Sequence, residues 1–109
     1  MVRLATHIWV GAYLRRLSAE TVPAYVAARG DATAGAVLVK VATLDGAATA
    51  WQRSYDFERD ARVWMELARG PEAEVDRAVA AQRRTDPDLW VIEIEDRAGR
   101  SFLDAPGLE

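Results

Sequence analysis

Asp86-Pro87-Asp88-Leu89-Trp90-Val91-Ile92-Glu93-Ile94-Glu95 is the stretch on which the fold turns. Proline disfavours helical dihedrals at the residue before it, so a helix arriving from upstream ends at Asp86. Leu89 to Glu95 then reads as the strongest strand of the chain, rich in the β-branched and aromatic residues that suit a pleated surface. Upstream, Gly70-Pro71-Glu72 opens the helix. Proline suits its first position, Glu72 and Glu74 favour its positive end, and Arg83 and Arg84 suit the other. Its inward stripe, Val75, Ala78, Val79 and Gln82, is narrow and small. Downstream, a turn over Asp96 to Gly99 leaves room for a short extra strand, Arg100 to Leu103, and the tail from Ala105 to Glu109 is expected to fray.

Toward the N-terminus the hydrophobic period is two. Ala24 to Arg29, Ala36 to Thr43, Ala47 to Tyr55 and Arg62 to Ala68 read as strands, divided by turn chemistry at Gly30-Asp31, at Leu44-Asp45-Gly46 and over the charged stretch from Asp56 to Asp60. Ahead of them Ile8, Trp9, Ala12, Tyr13 and Leu17 recur at helical spacing, with Thr6 as the expected cap and an end near Ala19, before Pro23. The order α-β-β-β-β-α-β makes residues 1–109 a single α+β domain. We expect a mainly antiparallel sheet of about four to six strands with both helices on one face.

Alternation assigns the two faces of each strand. Val37, Val39 and Val41, then Val63, Met65 and Leu67, then Trp90, Ile92 and Ile94 form the expected core. The complementary positions mix charge with large aromatics: Tyr25 and Arg29, Lys40, Trp51 with Arg53 and Tyr55, Arg62 with Trp64 and Glu66, Val91 with Glu93 and Glu95. Trp, Tyr and Arg are the usual anchors of protein interfaces, so Tyr25, Trp51, Arg53, Arg62 and Trp64 are the candidate interaction surface. The plainer reading of the same residues is cross-strand packing, with arginine stems over the rings and glutamates as ion partners.

Composition narrows the chemistry. Fourteen basic residues against seventeen acidic ones leave a net charge of −3, without the basic footprint that nucleic-acid binding requires. Cysteine is absent and His7 is the only histidine, which excludes disulfides, thiolate catalysis and zinc sites built from several such ligands. His7 falls in the first helix, and none of Ser18, Ser54 and Ser101 stands in a nucleophile elbow. The glycines form no phosphate-cradling loop, and Arg29-Gly30-Asp31 reads as a turn. The uncharged run Leu4 to Leu14 is too short to span a bilayer, and no small-x-small cleavage site follows it, so we expect a cytoplasmic protein without membrane contact.

One metal alternative remains. Asp88, Glu93, Glu95 and Asp96, with Asp86 nearby, could offer oxygen ligands to a hard cation in a small metal-dependent hydrolase. Asp86, Asp88 and Asp96 stand in turns, where Asp serves backbone hydrogen bonding. Pro87-Asp88 followed by Glu93-x-Glu95 resembles the nuclease arrangement of a Pro-Asp pair and a later acidic-x-Lys, but the spacing is too short and Glu95 occupies the lysine's place.

Three segments together resemble a known family: Ile8-Trp9-Val10 with Leu14-Arg15-Arg16; Arg29-Gly30-Asp31 through Ala34-Gly35-Ala36-Val37; and Asp86 through Arg97. They are similar to an uncharacterised family of small alphaproteobacterial proteins, domain of unknown function 1491. The likeness runs over nearly the whole chain, and its last segment is the most specific. It implies a bacterial cytosolic protein and carries over no catalytic residue or cofactor. The expectation is therefore a non-enzymatic module that binds a protein partner or a second copy of itself, with no cofactor.

Overall fold

The computed structural model describes the backbone of residues 4–104, and the side chains of all of these except 54–56. The expected frayed tail, residues 105–109, lies outside the described residues. The elements follow the expected order: α1 (Thr6–Ala19), β1 (Ala24–Ala28), β2 (Val37–Ala42), β3 (Ala47–Asp56), β4 (Ala61–Pro71), α2 (Glu72–Thr85) and β5 (Trp90–Glu95). They form one five-stranded sheet, ordered β1-β5-β2-β3-β4, in which β5 runs parallel to β2 and every other pairing is antiparallel.

α1 begins at Thr6 itself, so its cap lies one residue earlier than expected. Ala5 takes the capping position, and the Thr6 hydroxyl instead donates to the Gly35 carbonyl at 2.7 Å. Its C-terminus closes with Thr21 at φ 60°, the Thr21 amide on Ser18 O and the Val22 amide on Leu17 O, a paired closure that satisfies the last carbonyls. Arg100 to Leu103 does not add a strand. Phe102, at φ 58°, breaks the extended backbone, and Leu103 turns into the core.

The helices lie on opposite faces of the sheet, which corrects the expectation of one shared face. Trp9, Val10, Tyr13 and Leu17 of α1 cluster with Val37, Val39, Val41, Trp90, Ile92 and Ile94. Val75 of α2 clusters with Leu38, Ala48, Ala50, Leu89 and Val91 on the other side. The cause is written in the central strands: every residue of β2, Val-Leu-Val-Lys-Val-Ala, is buried, as in a sheet covered on both faces.

The core expectation holds for the valines of β2 and for Trp90, Ile92 and Ile94, but not for β4. Val63 and Leu67 are half-buried and Met65 is 54% exposed. A bulge explains this. Ala50 pairs with Ala68 but Trp51 pairs with Glu66, so Leu67 is an extra residue and everything before it in β4 changes face. Trp64 thereby faces α1, while Met65 faces away from it.

Candidate functional site

Val39 pairs with Trp51, which places Trp51 on the α1 face, and Arg53 pairs with Trp64 on the same face. Their aromatic partner comes from α1: the Trp9 and Trp64 ring centroids are 5.7 Å apart, and Tyr13 stacks on Trp9 at 5.0 Å. The Arg53 guanidinium lies 5.6 Å from the Trp9 ring and 5.3 Å from the Trp64 ring, a cation set against the edge of the ring pair within reach of both. The Trp64 indole nitrogen is buried and finds no acceptor among the described residues.

Beside this cluster opens a groove of about 660 Å³, lined by Trp51, Val63, Trp64 and the segment 100–104. Its wall is the segment after β5, and side chains hold that wall in place. The Tyr13 hydroxyl donates to Ser101 O at 2.6 Å, and Arg100 reaches Asp96 through two contacts of 3.0 and 2.8 Å while covering the Phe102 ring. The Arg100 guanidinium and backbone amide hold the Asp96 carboxyl below its usual range. The lining is mainly apolar, so the groove suits an apolar or aromatic side chain far better than a charged substrate.

Of the five expected interaction residues, Trp51, Arg53 and Trp64 come together here, and Arg62 follows on the same face of β4. Tyr25 does not join them. It pairs with Glu93 on the α2 face, at the opposite edge of the sheet, and Glu93 pushes its hydroxyl pKa up.

That second face holds a group the sequence reading underrated. Lys40 is 3% exposed, with its ammonium 2.7 Å from Glu72, 2.6 Å from Asp76 and 3.2 Å from Glu93. Burial alone would lower its pKa; the hydrogen bonds the ammonium donates to Asp76, Glu72 and Glu93 outweigh that and hold it above the ordinary lysine range. The available signal was that Lys40 is the only lysine in the chain and stands inside an apolar strand.

The carboxylates proposed as metal ligands fan apart. Glu93 serves Lys40, Asp96 serves Arg100, Glu95 and Asp88 are exposed, and Asp86 accepts from the Asp88 amide at 3.1 Å. Among the described residues no group of three or more His, Asp or Glu side chains is arranged to hold a metal ion. His7 lies exposed on α1, with Nδ1 2.9 Å from Ala32 O. Among the described residues no helix is long and apolar enough to cross a membrane.

The model of the protein family of unknown function DUF1491 matches residues 4–104. The chain belongs to this family. A crystal structure of a DUF1491 protein from Caulobacter crescentus CB15 is 43% identical with a TM-score of 0.82, covering 96% of this chain and 97% of that one. An NMR structure of a DUF1491 protein from the same organism gives 42% and 0.83, with 97% of each chain covered. A solution structure from A. tumefaciens is 30% identical, with a TM-score of 0.72 over 86% of each chain. A search of curated proteins found no match.

Two of the three segments that carry the DUF1491 resemblance, Arg29 through Val37 and Asp86 through Arg97, meet at one junction. The Asp31 amide donates to Asp88 O at 3.0 Å, the Trp90 indole donates to Asp31 O at 2.7 Å, and Arg29 covers the Trp90 ring. Arg83 donates to the carbonyls of both Leu89 and Arg29. These hydrogen bonds join the β1–β2 loop to the end of α2 and the start of β5, which accounts for the junction as structure.

Proposed function

We propose that this DUF1491 protein is a cytoplasmic protein-interaction module that takes an extended protein segment along β4, with an apolar side chain of that segment in the adjoining groove. The observation that carries this reading is position: the groove's floor is Trp51 and Trp64, and β4 is an edge strand, paired among the described residues only with β3. An edge strand presents unpaired backbone donors and acceptors to an incoming strand, and an adjacent pocket selects its side chains. The aromatic and arginine content of the face supports the same reading, since such residues dominate interface energetics.

A library of short random peptides displayed on phage, selected in parallel on the wild type and on Trp51→Ala and Phe102→Ala, tests it. Peptides with alternating aromatic or aliphatic residues should be enriched on the wild type and lost on folded variants, with folding checked by circular dichroism. No enrichment, or equal enrichment on all three, would sink the proposal.

A further inference from the structure

β4 also has a sequence that reads as its own complement. Arg62, Trp64 and Glu66 project to the α1 face, opposite Tyr55, Arg53 and Trp51 in the β3 register, while Val63 and Met65 project to the α2 face. We infer that the occupant of the β4 edge is a second copy of this chain, paired antiparallel about a two-fold axis at Trp64; this rests on the strand-docking reading above.

The register follows from matching residues across that axis. Centred on Trp64, Arg62 of each copy faces Glu66 of the other, so two opposite-charge pairs flank the two tryptophans on one face. On the other face Val63 of each copy meets Met65 of the other, covering a methionine that is 54% exposed in the single chain. Directly opposed residues interact most strongly in antiparallel pairs, and opposite charges or apolar partners there are favourable. Neighbouring registers on the same face pattern lose this. Centring on Val63 sets Asp60 against Glu66, and centring on Met65 leaves Trp64 against Glu66 and Arg62 against Ala68.

Two local features fit the same limits. The bulge at Leu67 ends regular pairing beyond the matched segment, which pins the register as bulges do. Glu66 is already 2.8 Å from Arg69, but through one carboxylate oxygen of an exposed pair, leaving the other oxygen for Arg62 of the second copy. The pairing would join two five-stranded sheets into one and bring the two Trp64-lined grooves together at the axis, in the isologous arrangement that a two-fold dimer requires.

Sedimentation equilibrium of the full chain from micromolar to millimolar concentration reads the mass directly. The wild type should approach twice the monomer mass. Arg62→Glu and Glu66→Arg should each weaken association by about tenfold or more, because each turns both cross-axis pairs into like-charge pairs. The double variant R62E/E66R should regain dimerisation. Both side chains are exposed, so the monomer fold should survive, and near-ultraviolet circular dichroism checks it. A wild type that stays monomeric throughout, or a dimer indifferent to both reversals, overturns the inference. A monomer that still selects peptides removes self-pairing alone, whereas a monomer that selects none removes the strand-docking reading as well.

Discussion

Lys40 sits in the middle of β2 with Glu72 and Asp76 of α2 and Glu93 of β5 around its ammonium, so a single charge ties a helix to two strands. Lys40→Met would keep the stem's packing and leave three neighbouring carboxylates without their cation. They retain contact with solvent, so the expected loss is about 2 kcal/mol by urea unfolding rather than the larger cost of a sealed pair. Because the folded pKa lies above the ordinary 10.5, the lysine's contribution is complete below pH 10.5 and is lost as pH rises through the folded value. The stability gap between wild type and Lys40→Met should thus stay level from neutral pH to about 10 and shrink only beyond it. Asp96 has the opposite sign. Arg100 holds its folded pKa below 3.8, so its contribution is present above pH 3.8 and disappears as pH falls through the folded value. Asp96→Asn should cost about 1 kcal/mol at neutral pH, a modest figure because Arg100 is exposed, and the gap to the wild type should narrow as pH falls below 3.8. That Lys40 was special could be read from its solitude among thirteen arginines; that its partners arrive from α2 and β5 could not, because those contacts span thirty residues or more.

At the scale of elements, hydrophobic period and breakers placed all seven with small boundary errors, because proline, glycine and alternation act locally. What alternation could not supply was phase between strands. β3 pairs so that Trp51 lies beside Val39, and the Leu67 bulge reverses β4, so the expected aromatic surface became part of the α1-side packing and the expected core valine and methionine of β4 turned outward. A bulge is a property of a pair of strands, invisible in either one alone. The groove was missed for the same reason, since its wall follows β5 and its floor belongs to β3 and β4. The β1–β2 loop shows a constraint of a harder kind. A Cβ on Gly30 would stand 2.0 Å from the Asp88 carbonyl oxygen, and on Gly35 2.5 Å from the same atom. Backbone cannot step aside as a flexible side chain can. Gly30→Ala should therefore cost about 3 kcal/mol or more, lowering Tm by more than 10 °C in a calorimetric scan. A Tm within a couple of degrees of the wild type would show that the loop and Asp88 are not packed as described.

For the whole molecule, the decisive arrangement is one sheet between two cores. Leu38 and Val39 are adjacent in β2 and both fully buried, one packed toward α2 and the other toward α1, and β5 is shared in the same way through Val91 and Ile92. Neither core can melt while its own β2 and β5 side chains remain packed, so the two should unfold as one cooperative unit. The four tryptophans make this measurable, because Trp9, Trp51, Trp64 and Trp90 all belong to the α1-side cluster or pack against it. Their fluorescence reports one face only. Val75→Ala removes buried methyl groups from the other face, at an expected cost of about 2 kcal/mol and a fall in Tm of about 10 °C. If the sheet couples the cores, tryptophan fluorescence and far-ultraviolet circular dichroism should shift together by that amount, although no tryptophan touches the altered site. Separate transitions, with fluorescence unmoved, would mean that the α1 layer stands without α2 and that the two cores are independent.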